Sequence, residues 1–131
     1  MSEDKVAELL RRKAERAEKA EAELQALKME ALELEEKYET SGQRLGIDFA
    51  VLTTLVGNFV VRKPEFTVAK KFSDVETKGA EEVIQFVDPC VLFPPRESAR
   101  AVFQEHAGVA WRLAACLMKL YEADAGIKAG K

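Results

Sequence analysis

EDKVAELLRRKAERAEKAEAELQALKMEALELEEKYE, residues 3–39, contains neither glycine nor proline. Nearly every residue in it is Ala, Glu, Lys, Arg, Leu or Gln, the strong helix formers. Val6, Leu10, Lys13, Ala17, Ala20, Leu24, Leu27, Ala31, Leu34 and Tyr38 recur at alternating spacings of four and three, and only Lys13 is not apolar. That is a heptad seam, the pattern of a helix that packs lengthwise against another element. A helix of this length spans about 55 Å at 1.5 Å per residue. The remaining residues build a domain narrower than that, so part of the helix must project or find a partner. Leaving an apolar stripe in water is unfavourable, and pairing removes the cost. Val6, Leu10, Leu24, Leu27, Leu34 and Tyr38 are therefore the expected self-association residues. Alanine in the middle of the seam limits the area each layer buries, which predicts a weak or closely packed coiled coil. The competing reading is a single solvated helix held by i,i+4 Glu–Lys pairs.

Ser41-Gly42 ends the helix, with glycine just past the last periodic residue. The expected division is a heptad helix over 1–41 and a small domain over 42–131. The long helix holds twelve acidic and eight basic residues, so the negative charge sits there. Beyond Gly42 the period changes. Asp48–Thr54 and Asn58–Arg62 are rich in β-branched and aromatic residues, and Gly57-Asn58 is a turn signal, which together predict a β-hairpin. Two strands alone are marginal in water, so helices must cover one face. Pro64 suits a helix start, and Phe66, Ala69 and Phe72 are expected on that helix's inner face. A further helix is predicted over Ala80–Val87, with Val83, Ile84 and Val87 inward. Asp88–Pro95 holds three prolines, which forbid a continuous helix and predict a buried extended crossing. Ala99, Val102, Phe103 and His106 then mark a helix ended by Gly108. Val109–Tyr121 marks the last one, with Val109, Leu113, Cys116, Leu117 and Leu120 on its stripe. Ala123–Lys131 is expected to fray. The fold class is α+β, mostly α.

Of 131 residues, 47% are hydrophobic and 33% charged, enough for a core and unlike a disordered chain. Twenty basic against 23 acidic residues, net −3, offers no basic excess for a nucleic acid. No run of eighteen apolar residues exists, so no membrane span is expected. The first residues, MSEDKVAELLRRK, lack the apolar core of a secretory signal, which predicts a cytoplasmic protein. Two Cys and one His supply neither the number nor the spacing of a zinc site. Cys90 and Cys116 read as buried free thiols, and His106 as a helix C-terminal residue beside the last carbonyls. Acid pairs such as Glu81-Glu82 read as solvated helix faces. No catalytic residue, metal ligand or cofactor is therefore expected. Arg62, Lys63, Lys70 and Lys71 form a local basic cluster, a candidate contact for an acidic partner or simply solubilising charge.

The second half carries a resemblance in the order of its pieces. A strand ends Val60-Val61-Arg62-Lys63-Pro64. A helix with Phe66, Lys70-Lys71 and Phe72 follows, then Cys90-Val91-Leu92-Phe93-Pro94, then a short helix ended by Gly108. This order, over about residues 48 to 118, resembles small tail assembly chaperones of long-tailed bacteriophages. They show an R-K/R-P strand end, a Y-K-x-F-R helix and a C-V-V-Y-P crossing. Here Ser73 follows Phe72 where that family has Arg, and the long first helix is additional. The resemblance implies a non-enzymatic assembly factor that binds the helical tape-measure protein and keeps it soluble in the cytoplasm of a bacterial host. The alternative is a structural virion component, in capsid or tail, whose long helix clamps neighbouring subunits. Either implies a protein partner and a homo-oligomer.

Overall fold

A computed structural model describes residues 2–128. The chain is α+β and mostly helical, with one three-stranded antiparallel sheet. Helix α1 runs Glu3–Thr40, followed by strands β1 (Phe49–Thr54) and β2 (Gly57–Arg62) and by helices α2 (Phe66–Ser73) and α3 (Ala80–Val87). One 3₁₀ turn (Asp88–Cys90) leads into strand β3 (Val91–Phe93). Helices α4 (Arg96–Glu105) and α5 (Ala107–Lys128) complete the chain.

Helix α1 starts where Ser2 Oγ accepts the Lys5 N–H at 3.2 Å, with Glu3 and Asp4 favourably placed at the positive end of the helix dipole. It stops at Ser41, and Gly42 follows at φ +94°, a conformation that favours glycine. Arg44 and Asp48 clasp the loop that follows. Asp48 Oδ2 accepts both the Arg44 backbone N–H (2.8 Å) and Nε (3.1 Å), which holds the Asp48 carboxyl below the usual carboxylate range.

Strand β2 is central, between β1 and β3, and is buried on both faces. One face, with Phe49 and Val60, packs against Leu34 of α1, and Tyr38, Val51, Leu92 and Phe93 close round them. The other, with Phe59 and Val61, packs against Ala69, Val83, Phe86, Phe103, Leu113 and Leu117 from the four later helices. The expected covering of one face is thus a covering of both, giving three layers: α1, sheet, and α2–α5. The long helix is part of the domain's core, so the division near Gly42 marks a change of composition more than a break in packing.

Four local expectations need correction. The hairpin turn is Leu55-Val56, since Thr54 pairs with Gly57 and Thr53 with Asn58. Thr54 Oγ1 holds the turn, accepting the Val56 N–H at 3.2 Å and donating to the Gly57 carbonyl at 2.7 Å, and Gly57 adopts φ +130°. Phe66 is 63% exposed. At 100° per residue it stands 60° from Ala69 and 120° from Phe72, so the stripe that buries Ala69 has rotated away from it. The segment expected to fray continues as helix to Lys128; residues 129–131 lie outside the described residues. The extended crossing is realised as β3, which pairs Val91 with Val61 and Phe93 with Val60. Gly108 falls in the first turn of α5, and His106 caps α4.

Asp88 ties this region together. Its carboxylate accepts Arg100 Nε and Nη2, both at 2.9 Å, and Arg96 Nη2 at 2.6 Å, joining the 3₁₀ turn to the first turns of α4. The Arg100 hydrogen bonds, with help from Arg96, hold its carboxyl below the ordinary value against the opposing effect of burial. A carboxyl whose pKa falls on folding contributes stability above its unfolded value near 3.9, lost as pH drops through the folded value. Asp88→Asn should therefore cost about 1–3 kcal/mol at pH 7. Urea unfolding of the two proteins should converge as pH is lowered through the acid range below about 4.

Candidate binding surface along the long helix

Helix α1 divides in two. Leu27 and Ala31 are half-buried, Leu34 is 7% exposed, and Tyr38 stacks obliquely on Phe49 with ring centroids 5.6 Å apart. This part of the heptad seam lies on the chain's own sheet. Toward the N-terminus, residues 9–26 are all exposed, Leu10 at 61% and Leu24 at 39%. That free half, with the turns before it, extends about 36 Å. Glu8, Arg11, Arg12 and Glu15 interlock on it at 2.6–3.1 Å, exposed i,i+3 and i,i+4 pairs that each support a helix by a few tenths of a kcal/mol. Of the expected self-association residues, Leu34, Tyr38 and most of Leu27 face the chain itself. Val6, Leu10 and Leu24 face solvent.

Asn58 fixes the boundary between the halves. Its amide donates to the Leu27 carbonyl and to Glu30 Oε1, both at 2.8 Å, and its Oδ1 accepts from Thr53 Oγ1 at 2.7 Å. It is a buried polar side chain in the middle strand, with its bonding capacity met. Asn58→Ala should lower stability by about 1–3 kcal/mol in urea unfolding. Asn58→Asp should cost more, because it sets a carboxylate against a carbonyl and Glu30 with no donor between.

The hairpin tip stands beside this boundary. Leu55 is 96% exposed and Val56 partly so. Together with Leu24, Val109, His106 and Arg112 they border a groove of about 520 Å³ between α1, the tip and the start of α5. Neither tip side chain takes part in the turn, which Thr54 Oγ1 holds through the Val56 N–H and the Gly57 carbonyl. Sequence reasoning missed this feature because Gly57-Asn58 outweighed it as a turn signal; the signal that could have found it is two apolar residues between strands whose lengths match.

The basic cluster is largely engaged within the chain. Arg62 donates to the Pro89 carbonyl at 3.1 Å and lies 3.9 Å from Glu65. The Lys63 backbone N–H donates to Asp48 at 2.8 Å, and its side chain adds to the positive field there. Lys70 Nζ lies 3.2 Å from Asp74. Lys71 borders a cleft of about 180 Å³ between α2 and α3, floored by Phe72 and Phe86, whose rings stack 4.2 Å apart.

Burial pushes the Cys90 and Cys116 thiols up, away from the reactive thiolate, and Cys90 Sγ faces the Phe86 carbonyl at 3.8 Å. Among the described residues no group of three or more His, Cys, Asp or Glu side chains could hold a metal ion. No helix among them is long and apolar enough to cross a membrane. Comparison with protein families, curated proteins and solved structures gives no match for this chain.

Proposed function

We propose that this protein is a non-enzymatic assembly factor that binds another polypeptide along the outer half of its long helix. One observation carries the reading. The apolar seam that packs on the sheet at Leu27–Tyr38 continues past the hairpin tip as Leu24, Leu10 and Val6, which are 39%, 61% and 41% exposed. An apolar edge on a projecting helix suits helix-in-groove or coiled-coil recognition. Its small, alanine-rich layers suit a contact that is later released, and the net charge of −3 helps keep a complex soluble. The resemblance to tail assembly chaperones supplies the setting, with the tape-measure protein of a long-tailed bacteriophage as the partner in the host cytoplasm.

Co-expression with the tape-measure protein tests this. The chain should hold that protein in the soluble fraction, and Leu10→Asp with Leu24→Asp should release it, since each charge would be buried without a partner. Purified particles should lack the chain. Fixed copies in every mature particle would overturn the chaperone reading in favour of a structural clamp.

A further inference from the structure

We infer that the outer half of α1 pairs antiparallel with the same segment of a second copy, each copy's N-terminal turn seated at the other's hairpin tip. This rests on the reading that the stripe binds protein, and names what covers it when no client is present.

Sterics select the orientation. From Leu27 onward the seam lies against the chain's own sheet, with Leu27 and Ala31 half-buried and Leu34 buried. Paired helices run about 8–10 Å apart, and a sheet occupies about 10 Å against its covering layer. Two parallel helices joined along this face would each bring a sheet into the same gap, and both cannot fit. Antiparallel pairing puts the two domains at opposite ends.

The seam then sets the register. Its free positions are Val6, Leu10, Lys13, Ala17, Ala20 and Leu24. Laid antiparallel, Val6 faces the second copy's Leu24, Leu10 its Ala20, and Lys13 its Ala17. Each layer joins the two alternating seam positions, as antiparallel packing requires, and the inner layers set a long side chain against an alanine. The Lys13 stem can cover Ala17 while its ammonium reaches water. In this register residue 3 of one copy falls opposite residue 27 of the other, where the sheet begins. The paired length therefore matches the uncovered length.

The ends are complementary in charge. The acidic first turn, Glu3 and Asp4, arrives at the groove that carries Arg112 beside apolar Leu24, Leu55, Val56 and Val109, with Glu23 and Glu30 across the tip as the opposing charges. The contact gives Leu55 a partner. Against it, Arg16 comes near the second copy's Arg16 at the two-fold axis, an exposed repulsion that salt screens.

Sedimentation of the purified full chain should give a mass near twice 14.6 kDa, and Leu10→Asp should halve it without loss of helix content, because Leu10 is 61% exposed on the free half of α1. Spin labels report the sense, placed singly by Asp4→Cys or Ala14→Cys in a Cys90→Ala, Cys116→Ala chain that retains its circular dichroism. Antiparallel pairing separates the two Asp4 sites by about 33 Å along the axis. It brings the Ala14 sites to about the interhelical spacing of 10 Å. A monomeric wild type, or equally short distances at both sites, would overturn the inference. A dimer that captures no tape-measure protein would leave this pairing standing and refute the function; the reverse result would do the opposite.

Discussion

Leu34→Asp is expected to unseat the long helix. The side chain is 7% exposed and sits between Phe49 and Val60, the buried centre of the sheet's α1 face. The side chains clustered with it, Phe49, Val60, Tyr38, Val51, Leu92 and Phe93, are aliphatic or aromatic. A carboxylate there must ionise in an apolar layer, take up a proton, or pull the helix off the sheet. Each route removes packing from Tyr38 and from the Asn58 bond to Leu27 one to two turns away. The expected loss is about 3–5 kcal/mol, against about 2–3 kcal/mol for Leu34→Ala, which leaves only a cavity. Domains of this size are stable by about 5–15 kcal/mol, so the Asp variant should show a much lower urea midpoint. If α1 were a separate appendage, both changes would leave the midpoint of the remaining domain where it was.

Phe59→Ala should be comparably severe, through the opposite face. Phe59 is fully buried in the middle strand and packs against Phe103 of α4, ring centroids 5.9 Å apart. The same cluster contains Leu113 and Leu117 of α5, so the ring joins the sheet to two helices. Truncation loses its transfer free energy and the contacts of the lining, about 3–5 kcal/mol together. Because the strand is covered on both faces, little relaxation can fill the hole. Thermal unfolding should remain a single transition at a lower midpoint. By contrast Leu10→Asp, large in chemistry but on the free half of α1, should shift the unfolding midpoint little at concentrations where the chain is monomeric.

Much of this architecture is legible in the residues. Unbroken helix formers and a Ser-Gly stop bound α1 closely, and β-branched runs mark both hairpin strands. The prolines of Asp88–Pro95 mark an extended segment, though pairing it with β2 as a third strand is a tertiary choice that Val91-Leu92-Phe93 does not encode locally. What a heptad seam does not carry is the identity of its cover. Leu27, Ala31, Leu34 and Tyr38 continue the pattern of Val6, Leu10 and Leu24 without a change of period, yet the first set faces the chain's own sheet and the second faces solvent. Asn58 is the boundary mark, and locally only its turn propensity shows because its partners, Leu27 and Glu30, lie 31 and 28 residues away. Phe66 shows a similar limit. An i, i+3, i+6 series drifts 60° at each step, so only part of it can face one core.

The central claim is that one continuous helix does two jobs, its inner half as core and its outer half as a binding edge. Hydrogen exchange of the full chain, read at several protein concentrations, tests this most directly. Amides of residues 27–38 should be protected to the same degree at every concentration, since their cover is intramolecular. Amides of residues 6–24 should gain protection as concentration rises, since their cover comes from another polypeptide. Protection of residues 6–24 that ignores concentration, or residues 27–38 exchanging as fast as residues 6–24, would contradict the account.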